Sequence, residues 1–192
     1  MPYFPGELEN LNTVNKFKRI YLQEAQLHKT ATVYAKDAKW KGLWIVLGFL
    51  MRVLSGCKIK EEQHRYITTI GSLIFYPSGW YPEIATEHDC AALRHELHHV
   101  SQYKKLGLGS VWLGFFIFLF LYLFIFLPTG LSWFRWRFER TAYKAGWDAA
   151  KEFNLTWRPD LHSYINALTG PRYIWAWPFR NQVSKWFYSN CK

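Results

Sequence analysis

The residues whose types and spacing point most clearly to chemistry are those at 95–99, which read His-Glu-Leu-His-His. On a helix, His95 and His99 are one turn apart, so both imidazoles leave the same face and can bind one metal ion. Glu96 lies about 100° further round the helix, where its carboxylate can reach a metal-bound water without binding the metal. The pattern therefore predicts a metal, a water nucleophile and a general base. The alternative is a helix whose histidines are solvated or hydrogen-bonded.

A catalytic zinc site needs a third protein ligand, and Glu139 is the strongest candidate. On a helix, it lies at the centre of a face of aromatic and small residues, which are Trp136, Ala142, Tyr143, Gly146, Trp147 and Ala150. A buried carboxylate must be paired or bound to a metal. We therefore predict that Glu139 is a metal ligand. An ion pair with Arg135, four residues earlier, is the alternative.

Four other side chains are weaker candidates for a role in the site. His98 lies about 60° from the line of the first motif histidine, and His88 lies two turns earlier, so we expect neither to bind the metal. His162 is expected in a loop, either as a transition-state donor or as polar surface. Tyr143, one turn after the predicted third ligand, is a candidate catalytic residue that could hydrogen-bond an oxyanion. Its alternative role is that of a core tyrosine.

Three predicted elements would position these residues. Thr86-Glu-His-Asp89 has the residue types of a capping box and opens the motif helix, which Gly107 ends. A second helix over about 133–153 carries the glutamate. The β-branched and aromatic run at 66–76, stopped by Pro77, predicts a strand just before the motif helix.

The remaining segments give the fold class. Residues 1–12 predict an irregular arm, 13–39 a basic amphipathic helix, and 42–52 a buried or interfacial segment too short to span a bilayer. The aromatic region after residue 153 is expected to be rich in loops. Because 192 residues fit one domain, we predict a single α+β domain, mostly helical, with a small sheet beside the motif helix.

Residues 111–127 are apolar without interruption. As a helix they would be about 26 Å long, which is close to the thickness of a bilayer core. A membrane span here would place His99 and Glu139 on opposite sides of the membrane, where they could not share an ion. Two interpretations preserve the site, namely a buried hairpin helix and a segment that dips into one leaflet. A true span is the third interpretation, and it excludes the site.

Composition predicts contact with a membrane surface. The net charge is +10 and aromatic residues make up 20% of the chain, a combination typical of monotopic interfacial proteins. The charges are dispersed and form no recognisable nucleic-acid module, so nucleic acid is not an expected partner. The first residues lack the pattern of a signal peptide. We therefore expect a cytoplasmic or a peripherally, monotopically membrane-associated protein. The three cysteines form no CxxC pair, which argues against a disulfide framework or a thiolate zinc site.

The two motif segments, Arg94-His-Glu-Leu-His-His-Val-Ser-Gln-Tyr103 and Arg135-Trp-Arg-Phe-Glu-Arg-Thr-Ala-Tyr143, resemble the glutamate zincins. These are HExxH metallopeptidases whose third ligand is a glutamate on a later helix. More narrowly, they resemble small uncharacterised bacterial proteins with an ExxAY-type second helix. The clear resemblance covers residues 66–153.

The resemblance implies a zincin-like fold, with Zn²⁺ held by His95, His99 and Glu139 and with Glu96 as general base. It also implies an edge strand that binds an extended peptide by main-chain pairing. Many members of the family have an aspartate four residues after the ligand glutamate, which supports a metal histidine. Tyr143 occupies that position here, so the support must come from a different residue.

We therefore predict a zinc-dependent metallopeptidase that hydrolyses peptide or protein substrates, with a membrane surface as one expected place of action. Its single domain, 1–192, would comprise an arm and basic helix in 1–40, a metallopeptidase core in 66–153 and an aromatic tail in 154–192. One alternative is a catalytically silent metal-binding structural or assembly protein, which needs the ligands but not the general base. The other is a basic membrane-associated binding protein in which the motif is incidental.

Overall fold

The computed structural model describes residues 13–28, 31–38, 42–46, 49, 67–123, 132–157, 160–170 and 177–192. Most of these residues are helical, and one small sheet accompanies them, so the α+β class is confirmed. The predicted arm at 1–12 lies outside the described residues. The helices are α1 (Thr13–His28), α2 (Glu87–Leu106), α3 (Val111–Leu123), α4 (Ser132–Glu152), α5 (Leu161–Thr169) and α6 (Arg180–Asn190), with a 3-10 turn at Pro82–Ile84. The strands are β1 (Thr32–Ala35), β2 (Thr68–Ile70) and β3 (Leu73–Tyr76).

The sheet has the order β1-β3-β2, with β1 parallel and β2 antiparallel to β3. The prediction of one strand over 66–76 was wrong, because the segment folds as a hairpin that pairs Ile70 with Leu73. Gly71 has a φ of +58°, which glycine adopts without strain at the first position of a two-residue hairpin turn. The hairpin places β2 at an edge of the described sheet, next to α2.

The predicted helix over 13–39 was also too long. Helix α1 ends at His28, and Thr32–Ala35 forms β1 in register with β3. The β-branched and aromatic residues of this segment fit a strand, but the partner strand lies about forty residues later in the chain. A pairing at that distance leaves no local signal, whereas the spacing of apolar residues does favour a helix.

Helix α2 is the central helix of the described structure, and it packs against α1, α3 and α4. Its N-terminus has the predicted capping box: Thr86 Oγ1 accepts from the amide of Asp89, and Asp89 Oδ2 accepts from the amide of Thr86 at 2.7 Å. Leu93 and Leu97 are fully buried between the neighbouring elements. The buried face fixes the rotation of α2 and so fixes the direction in which the motif residues point.

The expectation of a loop-rich C-terminal region was wrong, because α5 and α6 occupy much of it. Asp160 caps α5 by accepting from two backbone amides of its first turn. The buried residues of α5 and α6 form a second core cluster with α4, comprising Trp136, Ile165, Leu168, Val183, Phe187 and Cys191. The aromatic residues that are abundant in this region pack between short helices.

The described part of the apolar run is α3, which packs against α2. None of the described helices is long and apolar enough to span a membrane. Helix α2 and the first part of α3 are long and apolar enough when they are taken together, but their axes meet at an angle of 99°. Phe118 faces inward and is buried, whereas Phe116 is 61% exposed. The described part of this segment is therefore not a fully buried hairpin helix. Residues 124–127 lie outside the described ranges.

Candidate metal centre

The two helices that carry the motif residues approach each other closely. At Gly146 of α4, an added Cβ would lie 2.9 Å from the carbonyl oxygen of Ala91 and 3.8 Å from the Cβ of His95. A larger residue would therefore push α4 away from α2 at the level of the first motif histidine. The small residue allows the acidic side chain of α4 to reach both histidines.

The structure brings His95, His99 and Glu139 into one buried group. The two Nε2 atoms lie 3.2 Å apart, and Oε2 of Glu139 lies 3.5 Å from Nε2 of His95 and 3.7 Å from Nε2 of His99. Ligand atoms at 2.0–2.1 Å from a tetrahedral zinc are separated by about 3.3 Å. The three donors thus have the chemistry and almost the spacing of a zinc site, before any adjustment on binding.

The carboxylate and the imidazoles of this group are buried, and their charges stabilise each other. Glu139 is 4% exposed and His99 is 6% exposed. Burial raises the pKa of Glu139, but the facing imidazoles of His99 and His95 outweigh burial and hold that pKa well below its usual range. Burial likewise lowers the pKa of His99, and the carboxylate of Glu139 outweighs it and raises the pKa to about 9. The buried carboxylate is therefore stabilised by the positive charge of the imidazole that it faces. Arg135, the alternative partner of Glu139, is also buried.

Gln102 orients His99, and the sequence analysis did not identify it. Its Nε2 donates to the carbonyl of Phe138 at 3.0 Å and to Oγ1 of Thr141 at 2.9 Å. Because a carbonyl only accepts, the amide cannot be flipped, and its Oε1 must accept from Nδ1 of His99, 2.9 Å away. In the neutral form, which metal binding requires, His99 then has its lone pair on Nε2, the atom that faces the group. Gln102 thus gives His99 a supporting hydrogen bond of the kind that orients histidines bound to metals.

Glu96 is held by the sheet. Oγ1 of Thr69, in β2, donates to Oε2 of Glu96 at 2.6 Å. The hydroxyl of Tyr103 lies 3.4 Å from the backbone carbonyl of Thr69, so α2 and β2 are joined at two points. The carboxylate is therefore fixed beside the histidines, on the side of the helix where the sequence predicts the general base. Thr69 could not be identified from the sequence, because nothing in the spacing relates it to the motif.

A buried lysine lies within the electrostatic field of this carboxylate. Lys36 is 1% exposed, and its Nζ lies 4.8 Å above the ring of Trp44. Burial lowers the pKa of Lys36 to about 8, against the opposing effect of Glu96. The helix predicted over 13–39 would include Lys36. It lies instead directly after β1, and its side chain is buried.

Tyr143 lies at the group, and three histidines do not belong to it. The ring of Tyr143 is 4.7 Å from that of His95 and 4.2 Å from that of Tyr164. This position is compatible both with an oxyanion donor and with a packed tyrosine. The remaining histidines have other neighbours: His88 contacts Trp157, and His98 lines a surface pocket beside Arg94. The expectation of a loop at His162 was wrong, because it lies in α5, where it is exposed next to Tyr188.

None of the family models, curated proteins and solved structures that were compared with the chain gave a match. The resemblance to the glutamate zincins therefore stays a prediction. The case for a function depends on the geometry of the described residues.

Proposed function

We propose that this protein is a zinc-dependent metallopeptidase of the glutamate-zincin type, with His95, His99 and Glu139 as metal ligands. The observation that carries the proposal is the separation of the three donor atoms, 3.2 to 3.7 Å, in a buried group beside a fixed carboxylate. Two imidazoles and one carboxylate are a ligand set of catalytic zinc, which leaves a coordination position for water.

Zinc bound in this group would lower the pKa of a water and polarise a peptide carbonyl. The chain supplies the remaining functions. Glu96 accepts the proton of the attacking water and delivers it to the leaving amine, and Thr69 keeps the carboxylate in place through its 2.6 Å hydrogen bond. Tyr143 is the residue we assign to donate to the developing oxyanion. The edge strand β2, which contributes Thr69, is the element we expect to pair with an extended substrate.

The test is peptide cleavage by the wild type and by Glu96→Gln, each loaded with one equivalent of zinc. The substrate is a peptide library made by digesting a proteome, and mass spectrometry identifies the new termini. We expect cleavage by the wild type and a loss of at least about a hundredfold in the variant, because the general base is absent. Zinc content should be equal in the two proteins.

The outcomes separate this proposal from its alternatives. Equal cleavage by both proteins would contradict the role of Glu96 and indicate a contaminating peptidase. Bound zinc without any cleavage would favour the catalytically silent metal-binding protein. Tyr143→Phe provides a further comparison, since an oxyanion donor lowers kcat when removed and a packed tyrosine does not.

A further inference from the structure

The side of α3 that faces away from α2 is an exposed apolar surface, at one end of which the ring of Trp112 also packs against Gly71. We call it the outer face of α3, and its residues are Trp112 (43% exposed), Leu113 (52%), Phe116 (61%) and Phe120 (57%). No charged residue occurs anywhere in Val111–Leu123. A row of large apolar side chains of this kind marks a site of contact with another molecule or with lipid.

The edge of this face carries the charges expected of a lipid contact. The turn that joins α2 to α3 has Leu108 at its tip, where the side chain is 95% exposed. Lys104 and Lys105 precede this turn and are both exposed. Apolar side chains that project beside lysines suit an anionic bilayer. The apolar side chains enter the acyl region, and the lysines bind the headgroup phosphates.

The shape of the segment favours lying on a bilayer over crossing it. The 99° angle between α2 and α3 would leave α3 parallel to a surface that α2 approaches end-on. The bend depends on close backbone contact, because a Cβ on Gly114 would overlap the carbonyl oxygen of Tyr103. The outer face is therefore presented rigidly.

We propose that the outer face of α3 docks the protein on an anionic membrane surface. Phe118, on the inner side of the same helix, contacts both His99 (5.7 Å between ring centroids) and Tyr103 (4.8 Å). Docking would therefore hold the metal centre one helix away from the lipid. If the proposed peptidase function holds, its substrates are polypeptide segments that reach the membrane surface.

The experiment is flotation of the full-length protein with vesicles of phosphatidylcholine containing phosphatidylglycerol, and with vesicles of phosphatidylcholine alone. Leu113→Ser/Phe116→Ser/Phe120→Ser should weaken vesicle affinity by more than about tenfold, because these side chains would no longer enter the bilayer. Lys104→Gln/Lys105→Gln should weaken binding to the anionic vesicles by about tenfold and leave binding to phosphatidylcholine unchanged.

Two controls separate docking from other effects. Phe179→Ser/Tyr188→Ser also removes two exposed aromatic residues, but on the α6 side, and it should float like the wild type. Glu96→Gln should float like the wild type as well, so a failure of the peptidase proposal does not affect this result. The far-ultraviolet circular dichroism spectrum and the urea unfolding midpoint of the triple variant report whether its fold is intact.

Three outcomes would overturn the proposal. The first is flotation of the triple variant at the wild-type level. The second is no flotation of the wild type with either vesicle. The third is a wild-type dimer in analytical ultracentrifugation that the triple variant dissociates, without vesicle binding, because the outer face would then contact a second copy of the chain.

Discussion

At the scale of single residues, the site combines side chains that the motif specifies with others that only the fold brings to it. His95, Glu96 and His99 follow from the helical period, and Glu139 follows from its position on an otherwise uncharged face. Gln102 and Thr69 could not be predicted, because their roles depend on the rotation of α2 against α4 and on a three-residue strand. Local spacing identifies donors on one helix, whereas the hydrogen bonds that orient them form between elements.

The orientation of His99 gives the first prediction. Gln102→Leu removes the acceptor for Nδ1, so His99 can adopt the other tautomer or rotate away from the group. Such supporting hydrogen bonds are worth about 10- to 100-fold in metal affinity. We expect a loss of that size in a zinc competition titration with a chromophoric chelator.

His98→Ala is the matched control for this titration. It removes a histidine of the same motif that faces a surface pocket, so the zinc affinity should not change. An unchanged affinity in Gln102→Leu would contradict the assigned role of Gln102. A loss in both variants would indicate a general effect on α2.

At the scale of elements, the capped helix α2 and the presence of a small sheet were predictable, but the individual strands were not. Thr86 and Asp89 encode the start of α2 locally, so the sequence gives the position of the motif on its helix. The strand β1 was not predicted, since its partner β3 is distant in sequence. The C-terminal helices were not predicted, because the glycine, proline and aromatic residues of this region are typical of a loop.

The close approach of α2 and α4 gives the second prediction. Gly146→Ala adds a methyl group 2.9 Å from the carbonyl of Ala91, so α4 must shift outward. In an open helix the same change stabilises by up to about 1 kcal/mol. Here we expect a net destabilisation of about 1–3 kcal/mol in urea unfolding, together with weaker zinc binding, because Glu139 moves with α4.

Gly42→Ala is the comparison variant for that measurement. Gly42 is helical, and an added Cβ would meet no atom within 4 Å. It should be neutral or slightly stabilising. If Gly146→Ala behaved in the same way, the separation of the two helices would not limit the geometry of the site.

At the scale of the whole molecule, one carboxylate joins three parts of the chain. Glu87, in the first turn of α2, accepts from Thr156 Oγ1 and from the amide of Trp157, each at 2.6 Å, and it pairs with Lys16 of α1 at 3.3 Å. These contacts connect α1, α2 and the segment after α4. Glu87 lies within the segment predicted to cap α2, but nothing in the sequence indicates this connection.

This connection gives a prediction of how stability depends on pH. Hydrogen bonds from Thr156 and Trp157, helped by Lys16, lower the pKa of Glu87 from 4.5 to about 2. A lowered pKa stabilises the fold fully above the unfolded value, near 4.5, and the stabilisation is lost as the pH falls towards 2. We expect Glu87→Gln to lower the free energy of unfolding by about 1–2 kcal/mol at pH 7.

The measurement is urea unfolding of metal-free protein between pH 7 and acidic pH, so that release of metal does not contribute. The difference between wild type and Glu87→Gln should shrink as the pH falls below about 4.5, the unfolded value. Asp148→Asn removes an exposed i, i+4 pair with Lys144 and should cost less than about 0.5 kcal/mol. A difference for Glu87→Gln that stays constant down to the lowest pH would contradict the assignment.

The measurement that tests the central claim most directly is the zinc content of the purified protein and of Glu139→Gln, by elemental analysis after purification without chelators. We predict about one zinc per chain in the wild type, in His98→Ala and in Arg135→Gln, and a large loss in Glu139→Gln. Wild-type protein without zinc, or Glu139→Gln that retains it, would contradict a metal centre formed by α2 and α4.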